Sequence, residues 1–206
     1  MGDNDKEQYD NAYERMYSEL GEYCPVSENL RELIIENSIL VKFSKGEMLL
    51  EESRECDFLY FIVSGFCSCY YNKDGKEYIL RFAGAGEFCT SWHSFLGRQH
   101  SLFNIKATEE TLTVCFRWEC FDKLKEENLE FAIVVCKMLE HFAMKSEEKY
   151  FRMRSCQAEG RVRHSLDTRE MHYLMRHVPR YNIASYLNMT QETFSKIFTQ
   201  LNKELR

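Results

Sequence analysis

Near the carboxyl end of the chain, three polar residues at helical spacing have the chemistry needed to read the edges of DNA bases. The carboxylate of Glu192 can accept a hydrogen bond from cytosine, and the ammonium of Lys196 can donate to guanine or to a phosphate. Ser195 adds a hydroxyl on the same side of the predicted helix. Gln191 and Thr199 could contact bases or phosphates, and Arg180 could contact phosphate. The full candidate set is Arg180, Gln191, Glu192, Ser195, Lys196 and Thr199.

Residues 180–201 must position these side chains, and their pattern predicts two short helices joined by a tight turn. Ile183, Ala184 and Leu187 give the first helix one apolar stripe. Asn188 follows where the chain must turn sharply, and asparagine tolerates a positive φ better than most residues.

The second helix is predicted to have a defined start and two distinct faces. Thr190 is a suitable N-cap, and Glu192 lies in the first turn, where the helix dipole favours a negative charge. The apolar face consists of Phe194, Ile197, Phe198 and Leu201. Two interpretations remain open at this point: a helix that enters the major groove, or an amphipathic hairpin that only closes a small core.

A resemblance to a known family supports the first interpretation. Residues 191–196 resemble the E-T-x-S-R recognition helix of the cyclic-AMP receptor protein/FNR (Crp/Fnr) family of bacterial transcription regulators. Lys196 stands where that family has arginine, which keeps the charge but loses the bidentate fork. The positions that match the family's small, turn and core residues are Ala184, Asn188, Phe194 and Ile197.

Ahead of this segment, the hydrophobic period changes to two at Ser38 and predicts a series of short strands. Glycine-containing turns separate them, and strands at this spacing are typical of a sandwich or jelly roll. The turn 72–75 predicts a β-hairpin. The predicted strands are Ile39–Phe43, Met48–Leu50, Phe58–Ser64, Phe66–Tyr71, Glu77–Phe82, Phe103–Thr108 and Leu112–Arg117.

The order of motifs in this region is similar to the cyclic-nucleotide-binding β-roll of the same family. The resemblance covers about residues 30–201. The motifs, in order, are Lys45-Gly46-Glu47, Leu59-Tyr60-Phe61-Ile62 leading to Gly65, Asp74-Gly75-Lys76-Glu77, and Gly86-Glu87-Phe88.

Helices are predicted on both sides of the strands. Asp5–Leu20 and Ser27–Asn37 precede them, and a short helix begins at Trp118. Residues from Asn128 to about Cys156 form one long helix without Gly or Pro, and its apolar residues cover more than one face. In the resembled family this helix is the dimer axis; the alternative is full burial within one chain.

We therefore predict an α+β fold in three parts. Residues 1–127 form a cyclic-nucleotide-binding-like β-roll with flanking helices, 128–156 a dimerisation helix, and 157–206 a helix-turn-helix domain. Residues 157–179 are interpreted as a charged transition into that domain. After the recognition helix, few or no residues remain for the wing that family members usually add.

The family's phosphate cassette is only half preserved. Gly86, Glu87 and Phe88 match it, but Thr90 replaces a glycine and Ser91 the ribose-binding glutamate. Trp92 replaces a leucine, His100-Ser101 stands at the Arg-Ser pair, and Arg98 is the nearest substitute for the lost arginine. The resemblance thus implies that cyclic AMP binds poorly or not at all. The candidate pocket residues are Gly86, Glu87, Thr90, Ser91, Arg98, His100, Ser101 and Ser146.

Charge is distributed unevenly along the chain. Eight basic and five acidic residues give 158–206 a net charge of +3, which leaves −9 for the remainder of a chain whose total is −6. A basic module on an acidic body suits a DNA reader with a separate sensor. The basic residues are Arg161, Arg163, Arg169, Arg176, Arg180, Lys196, Lys203 and Arg206.

Other functional classes have weaker support. Nine cysteines without a secretory signal indicate reduced thiols, although Cys67 and Cys69 share one strand face and leave a redox or metal role open. Cys24 alone lies where FNR-type members hold an iron–sulfur cluster, so none is expected. The alternatives are a metal-dependent cupin-type enzyme or a ligand-binding module without DNA function, but the six histidines form no His-x-His pair.

The sequence thus predicts a non-enzymatic, cytoplasmic transcription regulator. No apolar run approaches the length of a membrane span, and the acidic amino terminus does not resemble a signal peptide. The expected partners are double-stranded DNA, a second copy of the chain, an unknown small-molecule effector and RNA polymerase. No cofactor or metal is expected.

Overall fold

The computed structural model describes residues 3–168 and 170–204, with side chains from residue 9 onward. Two amino-terminal helices form as their apolar periodicity predicts. α1 spans Asp3–Gly21 and buries one stripe, and α2 spans Glu28–Glu36. The hydroxyl of Ser27 caps α2 by accepting a hydrogen bond from the Leu30 N–H at 3.2 Å. The stripe that α1 buries consists of Ala12, Tyr13, Met16, Tyr17 and Leu20.

Eight strands lie in the described residues and form the two four-stranded sheets of a jelly roll. One sheet has the order β1-β8-β3-β6 and the other β2-β7-β4-β5. All seven predicted strands are present. β6 is an additional strand, which was not predicted because two residues are too few to show a period. The strands are β1 Ser38–Phe43, β2 Met48–Leu50, β3 Phe58–Ser64, β4 Phe66–Lys73, β5 Lys76–Gly84, β6 Phe88–Cys89, β7 Asn104–Ala107 and β8 Thr111–Arg117.

Strand register determines which side chains share the interior of the roll. Tyr60 of β3 pairs with Cys115 of β8 on one side and with Cys89 of β6 on the other. These three residues therefore lie on one face of the sheet, and all are buried. Asp74 and Gly75 have φ values of 51° and 73°, which a two-residue hairpin turn between β4 and β5 requires.

Helices cover the other face of the first sheet. α4 spans Trp118–Glu127 and α5 spans Leu129–Ser155, close to the predicted bounds. α5 is one continuous helix because its sequence contains neither glycine nor proline. It buries Phe131 against Phe116 and Phe121, with ring centroids 6.2 and 5.5 Å away.

The segment before residues 180–201 contains two helices that were not predicted. The interpretation of residues 157–179 as a transition is wrong, because α6 spans Ala158–Asp167 and α7 spans Glu170–His177. Each helix buries two apolar residues: Val162 and Leu166 in α6, and Met171 and Leu174 in α7. Their helical spacing was hard to recognise in the sequence because many charged residues surround them. α8, Arg180–Tyr186, and α9, Gln191–Glu204, complete the described chain.

The chain divides into two compact units. The first contains residues up to Cys69 and Phe82–His141, and the second contains Tyr70–Arg81, the tip of the β4–β5 hairpin, with residues from Phe142 onward. No helix within residues 3–168 and 170–204 combines the length and hydropathy that crossing a lipid bilayer requires.

Candidate nucleic-acid interface and ligand cassette

The turn between α8 and α9 has the geometry expected of a helix-turn-helix. Asn188 has a φ of 54°, the left-handed conformation that its side chain tolerates. Thr190 precedes α9, and its hydroxyl accepts a hydrogen bond from the Thr193 N–H at 3.2 Å. Ile183, Ala184 and Leu187 are buried beneath the turn. These contacts set the direction in which α9 leaves the turn.

Arg161, one of the basic residues of this segment, stabilises the turn. The guanidinium of Arg161 donates to the backbone carbonyl of Leu187 at 2.8 Å and to that of Asn188 at 3.2 Å. A third bond runs to the carbonyl of Cys156 at 2.6 Å. Arg161 is therefore a clamp for the turn, and no local sequence pattern pointed to this role.

Helix α9 sorts its residues between a packed and an open face. Phe194 and Leu201 are buried, and Phe198 is half-buried with its ring stacked on Phe194 at 5.4 Å. On the open face Gln191, Glu192, Lys196 and Thr199 are exposed, whereas Ser195 is half-buried.

Two members of the candidate set have contacts of their own. The Thr199 hydroxyl donates to the Ser195 carbonyl at 2.8 Å, so it is partly committed within the helix. Arg180 is exposed at the start of α8, with its guanidinium carbon 5.7 Å from the centre of the Phe198 ring. Its charge therefore lies beside α9.

Not all basic residues of this segment are available to a nucleic acid. Arg163 pairs with Glu159 at 3.0 Å and with Glu204 at 3.3 Å, and these carboxylates raise the pKa of its guanidinium. The guanidiniums of Arg161 and Arg163 therefore both have partners within the protein. Arg169 and Arg206 lie outside the described residues. Arg176, Arg180, Lys196 and Lys203 remain exposed.

The tip of the β4–β5 hairpin contacts α8 within the second unit. The Ile79 N–H donates to the Ser185 hydroxyl at 2.9 Å. The ammonium of Lys149 donates to the Leu80 carbonyl at 2.5 Å and lies 3.9 Å from the centre of the Tyr186 ring. The hairpin therefore forms part of the support for the helix-turn-helix.

In the first unit, the cassette is not an open phosphate-binding loop. Residues Trp92–Gly97 form a short helix, α3, and His93 lies on it. Thr90 is buried and its hydroxyl donates to the Phe58 carbonyl at 2.9 Å. The Ser91 hydroxyl is also buried and makes no hydrogen bond to any described residue.

Arg98, the predicted substitute for the phosphate-binding arginine, is engaged with acidic residues. Its guanidinium donates to Asp57 Oδ1 and to the Cys56 carbonyl, each at 3.0 Å, and pairs with Glu55. It also stacks 4.4 Å from the centre of the Trp118 ring. Two carboxylates thus occupy the fork that a phosphate would need.

The rest of the cassette is bonded to the same loop, residues 51–57. The Ser53 N–H donates to the Ser101 carbonyl at 2.9 Å, and the Ser101 N–H donates to the Arg54 carbonyl at 2.8 Å. The Ser94 hydroxyl accepts from the Cys56 N–H at 2.7 Å. His100 is exposed and forms an isolated bridge with Glu55.

The remaining candidate pocket residues are Gly86, Glu87 and Ser146. Gly86 has a φ of +92°, and a Cβ there would lie 2.7 Å from Glu19 Oε1. The exposed carboxylate of Glu87 accepts from the Gly84 N–H at 2.8 Å. Ser146 is exposed on α5 and belongs to the second unit.

Helix α5 leaves a second apolar stripe uncovered. Phe131, Val134, Val135 and Met138 are buried on one face, whereas residues on the opposite face are exposed. Phe151 on that stripe was not singled out from the sequence. The exposed apolar residues at helical spacing are Leu129, Ile133, Met144 and Phe151.

The cysteines are free thiols, and most lie in the core. Burial raises the pKa of Cys115 to about 12, so this thiol stays protonated. Cys69 and Cys89 lie 3.7 Å apart, sulfur to sulfur. Within the described residues, no group of three or more His, Cys, Asp or Glu side chains could hold a metal ion.

Comparison with known proteins confirms the predicted fold. Residues 40–128 match the family model of the cyclic nucleotide-binding domain. FixK2 from Bradyrhizobium japonicum has a TM-score of 0.67 at 19% identity, over 81% of this chain and 85% of that one. No curated protein matches the chain in sequence.

Two further solved structures have the same architecture. A CooA mutant from Carboxydothermus hydrogenoformans has a TM-score of 0.65 at 19% identity, over 86% of this chain and 82% of that one. The catabolite activator protein of Thermus thermophilus has a TM-score of 0.53 at 18% identity, over 88% and 86%. These neighbours are Crp/Fnr regulators, so the predicted resemblance is confirmed at the level of fold.

Proposed function

We propose that this chain, which has the fold of the Crp/Fnr regulators, is a sequence-specific DNA-binding transcription regulator that acts as a homodimer. The observation that carries the proposal is the exposed polar face of α9, behind a turn closed by Asn188 and Arg161. A helix whose direction is set by such a turn, and which offers a carboxylate and an ammonium to solvent, suits the major groove.

The base contacts are assigned to the first half of α9. Glu192 and Lys196 are exposed one turn apart, and Ser195 lies beside them. Gln191 and Thr199 contact bases or phosphate at the margins, and Arg180 contacts phosphate from α8. In the cytoplasm, a regulator of this kind would act together with RNA polymerase.

The uncovered stripe of α5 supports the proposed homodimer. Two copies packed through that stripe would present two recognition helices, which must meet successive major grooves about 34 Å apart. A signal in the β-roll would then act by a population shift that re-aims the two helices. Binding at both half-sites together is much tighter than at one.

The experiment that tests the proposal is selection of bound duplexes from a random pool by the purified chain, without added effector. Enrichment of a palindrome with half-sites about ten base pairs apart would support a dimeric regulator that is already competent to bind. If nothing is enriched, the selection is repeated with a metabolite extract from cells. Failure of both selections would contradict DNA binding and favour a ligand-binding module without DNA function.

Replacing Lys196 by alanine should weaken binding to the selected duplex by about 1–3 kcal/mol and relax the base preference at one position of each half-site. The loss follows because Lys196 is exposed in the first half of α9, where base contacts are made. Fluorescence anisotropy with the selected duplex measures the change.

Lys203→Ala is the matched control for this substitution. Lys203 is an exposed lysine in the last turn of the same helix, away from the end that meets the bases. Its removal should reduce affinity similarly for all duplexes, with no change in base preference. Equal effects of the two substitutions on base preference would remove Lys196 from the set of base contacts.

We expect cyclic AMP not to be the effector. The charge that could bind its phosphate, Arg98, is held by Glu55 and Asp57, and the hydroxyls of Thr90 and Ser91 are buried. Isothermal titration of the chain with cyclic AMP should therefore give no saturable binding below millimolar concentration. A micromolar dissociation constant would contradict this expectation.

A further inference from the structure

A cavity of about 460 Å³ lies in the first unit. Strands β1, β2, β3 and β8 and the loop 51–57 line it, and among the described residues its lining includes none of the candidate cassette residues. Its volume is within the range of small-molecule sites. The cavity is therefore a separate place in the sensor unit where a ligand can bind.

The floor of this cavity is aromatic. The ring of Tyr60 packs edge-to-face on Phe43 at 5.9 Å and beside Phe58 at 6.0 Å. The Tyr60 hydroxyl donates to the Leu49 carbonyl at 2.7 Å, so its hydrogen bond is made within the protein. What the rings offer to a ligand is mainly apolar surface, because the guanidinium carbon of Arg117 already lies over the Phe58 ring, 5.4 Å from its centre.

The mouth of the cavity is acidic. Glu51, Glu55 and Asp57 line it together with a single cation, Arg54, which lies 3.7 Å from Glu51. Arg98 offsets part of the remaining charge where it contacts Glu55 and Asp57. Carboxylates above aromatic rings are the groups that attract an organic ammonium, whereas they repel a carboxylate or a phosphate.

We propose that this cavity, bounded by Phe43, Phe58 and Tyr60 below and by Glu51, Glu55 and Asp57 above, binds an organic ammonium with an apolar body. The aromatic floor buries the body, and the ammonium lies at the mouth among the carboxylates. Calling this ligand an effector rests on the proposed function, but the binding site itself does not depend on DNA binding.

The loop at the mouth provides a connection from this site to the cassette. Arg98, which ends α3, is held by Glu55 and Asp57, and the backbone of Ser101 is bonded to Ser53 and Arg54. A ligand ammonium that attracts Glu55 and Asp57 competes with Arg98 for them. Occupancy of the cavity therefore changes the hydrogen bonds of the cassette without any nucleotide.

The test uses the full chain without DNA and three probes in isothermal titration. 2-Phenylethylamine and tryptamine carry an ammonium on an aromatic body, and 3-phenylpropionate has a similar body with the opposite charge. We expect saturable binding of at least one amine, at least about tenfold tighter than the carboxylate. Equal or tighter binding of the carboxylate, or no amine binding at 10 mM (roughly the upper limit for a weak site), overturns the proposal.

Variants identify the site. Glu51→Gln should weaken amine binding about threefold or more, because among the described residues Glu51 pairs with Arg54 and not with Arg98, so its neutralisation leaves the contacts of Arg98 in place. Glu126→Gln, an exposed carboxylate on α4, is the control and should leave binding unchanged. Unchanged amine affinity in Glu51→Gln places the ligand elsewhere and overturns the assignment. Because no duplex is present, failure of DNA binding would not affect this result.

Discussion

The double substitution Ile133→Glu and Met144→Glu is expected to convert the chain to monomers and to lower its affinity for the selected duplex by about 100-fold or more. The two residues lie eleven positions apart, three helical turns, on the uncovered stripe of α5. Ile133 is 45% exposed and Met144 is 71% exposed. A charge at either position can reach water in a monomer but must be buried in a dimer formed through this stripe.

Sedimentation velocity measures the oligomeric state, and anisotropy measures duplex binding. Lys145→Glu is the control, because it adds negative charge to an exposed position of the same helix that does not lie on the stripe. It should remain dimeric, which separates loss of the dimer from simple repulsion of DNA. A dimeric double variant would show that the copies associate through another surface.

Gly65→Ala is expected to destabilise the β-roll by more than about 4 kcal/mol, the range of severe core substitutions. Gly65 connects β3 and β4 with a φ of +95°. A Cβ there would lie 2.5 Å from Thr111 Oγ1 and 2.6 Å from Thr111 Cα, and would also meet the carbonyl of Glu110. The clash with backbone cannot be relieved by a change of rotamer.

Thermal unfolding followed by circular dichroism measures this loss. Gly75→Ala is the matched control, since Gly75 also has a positive φ, +73°, but a Cβ there would meet nothing within 4 Å. Its cost should be only the conformational one, about 1–2 kcal/mol. If Gly65→Ala and Gly75→Ala unfold at similar temperatures, the close approach of β3–β4 to β8 is not as tight as described.

Two features of the molecule suit a regulator whose signal is not a cyclic nucleotide. The cassette is bonded to loop 51–57 through Arg98 and Ser101, so the Arg98 guanidinium and the Ser101 backbone are used within the protein. The tip of the β4–β5 hairpin contacts α8 through Ile79 and Ser185. β4 and β5 connect this tip covalently to the roll.

Most elements could be predicted from the sequence because each has its own periodicity. The apolar residues of α1 and α9 recur at helical spacing, and the seven predicted strands alternate between turns. β6 and α3 were missed because each is too short to establish a period. α6 and α7 were missed because Arg161, Arg163 and His164 made their segment look like a charged connection.

The sequence by itself determined the jelly roll, the long helix, the left-handed turn at Asn188 and the two faces of α9. These features depend on the order and spacing of neighbouring residues. That spacing can be recognised within a single strand or helix, without knowledge of what packs against it. The half-preserved cassette was also visible, since its replaced residues stand in a recognisable order.

Only the tertiary structure decided which charges are free and where a ligand has room. Arg98 meets Asp57 across 41 positions, and Arg161 meets Leu187 across 26, so neither pairing leaves a local pattern. The cavity exists because strands from both sheets and loop 51–57 surround it. Contacts between distant segments depend on how the elements pack, and periodicity along the chain carries no record of that packing.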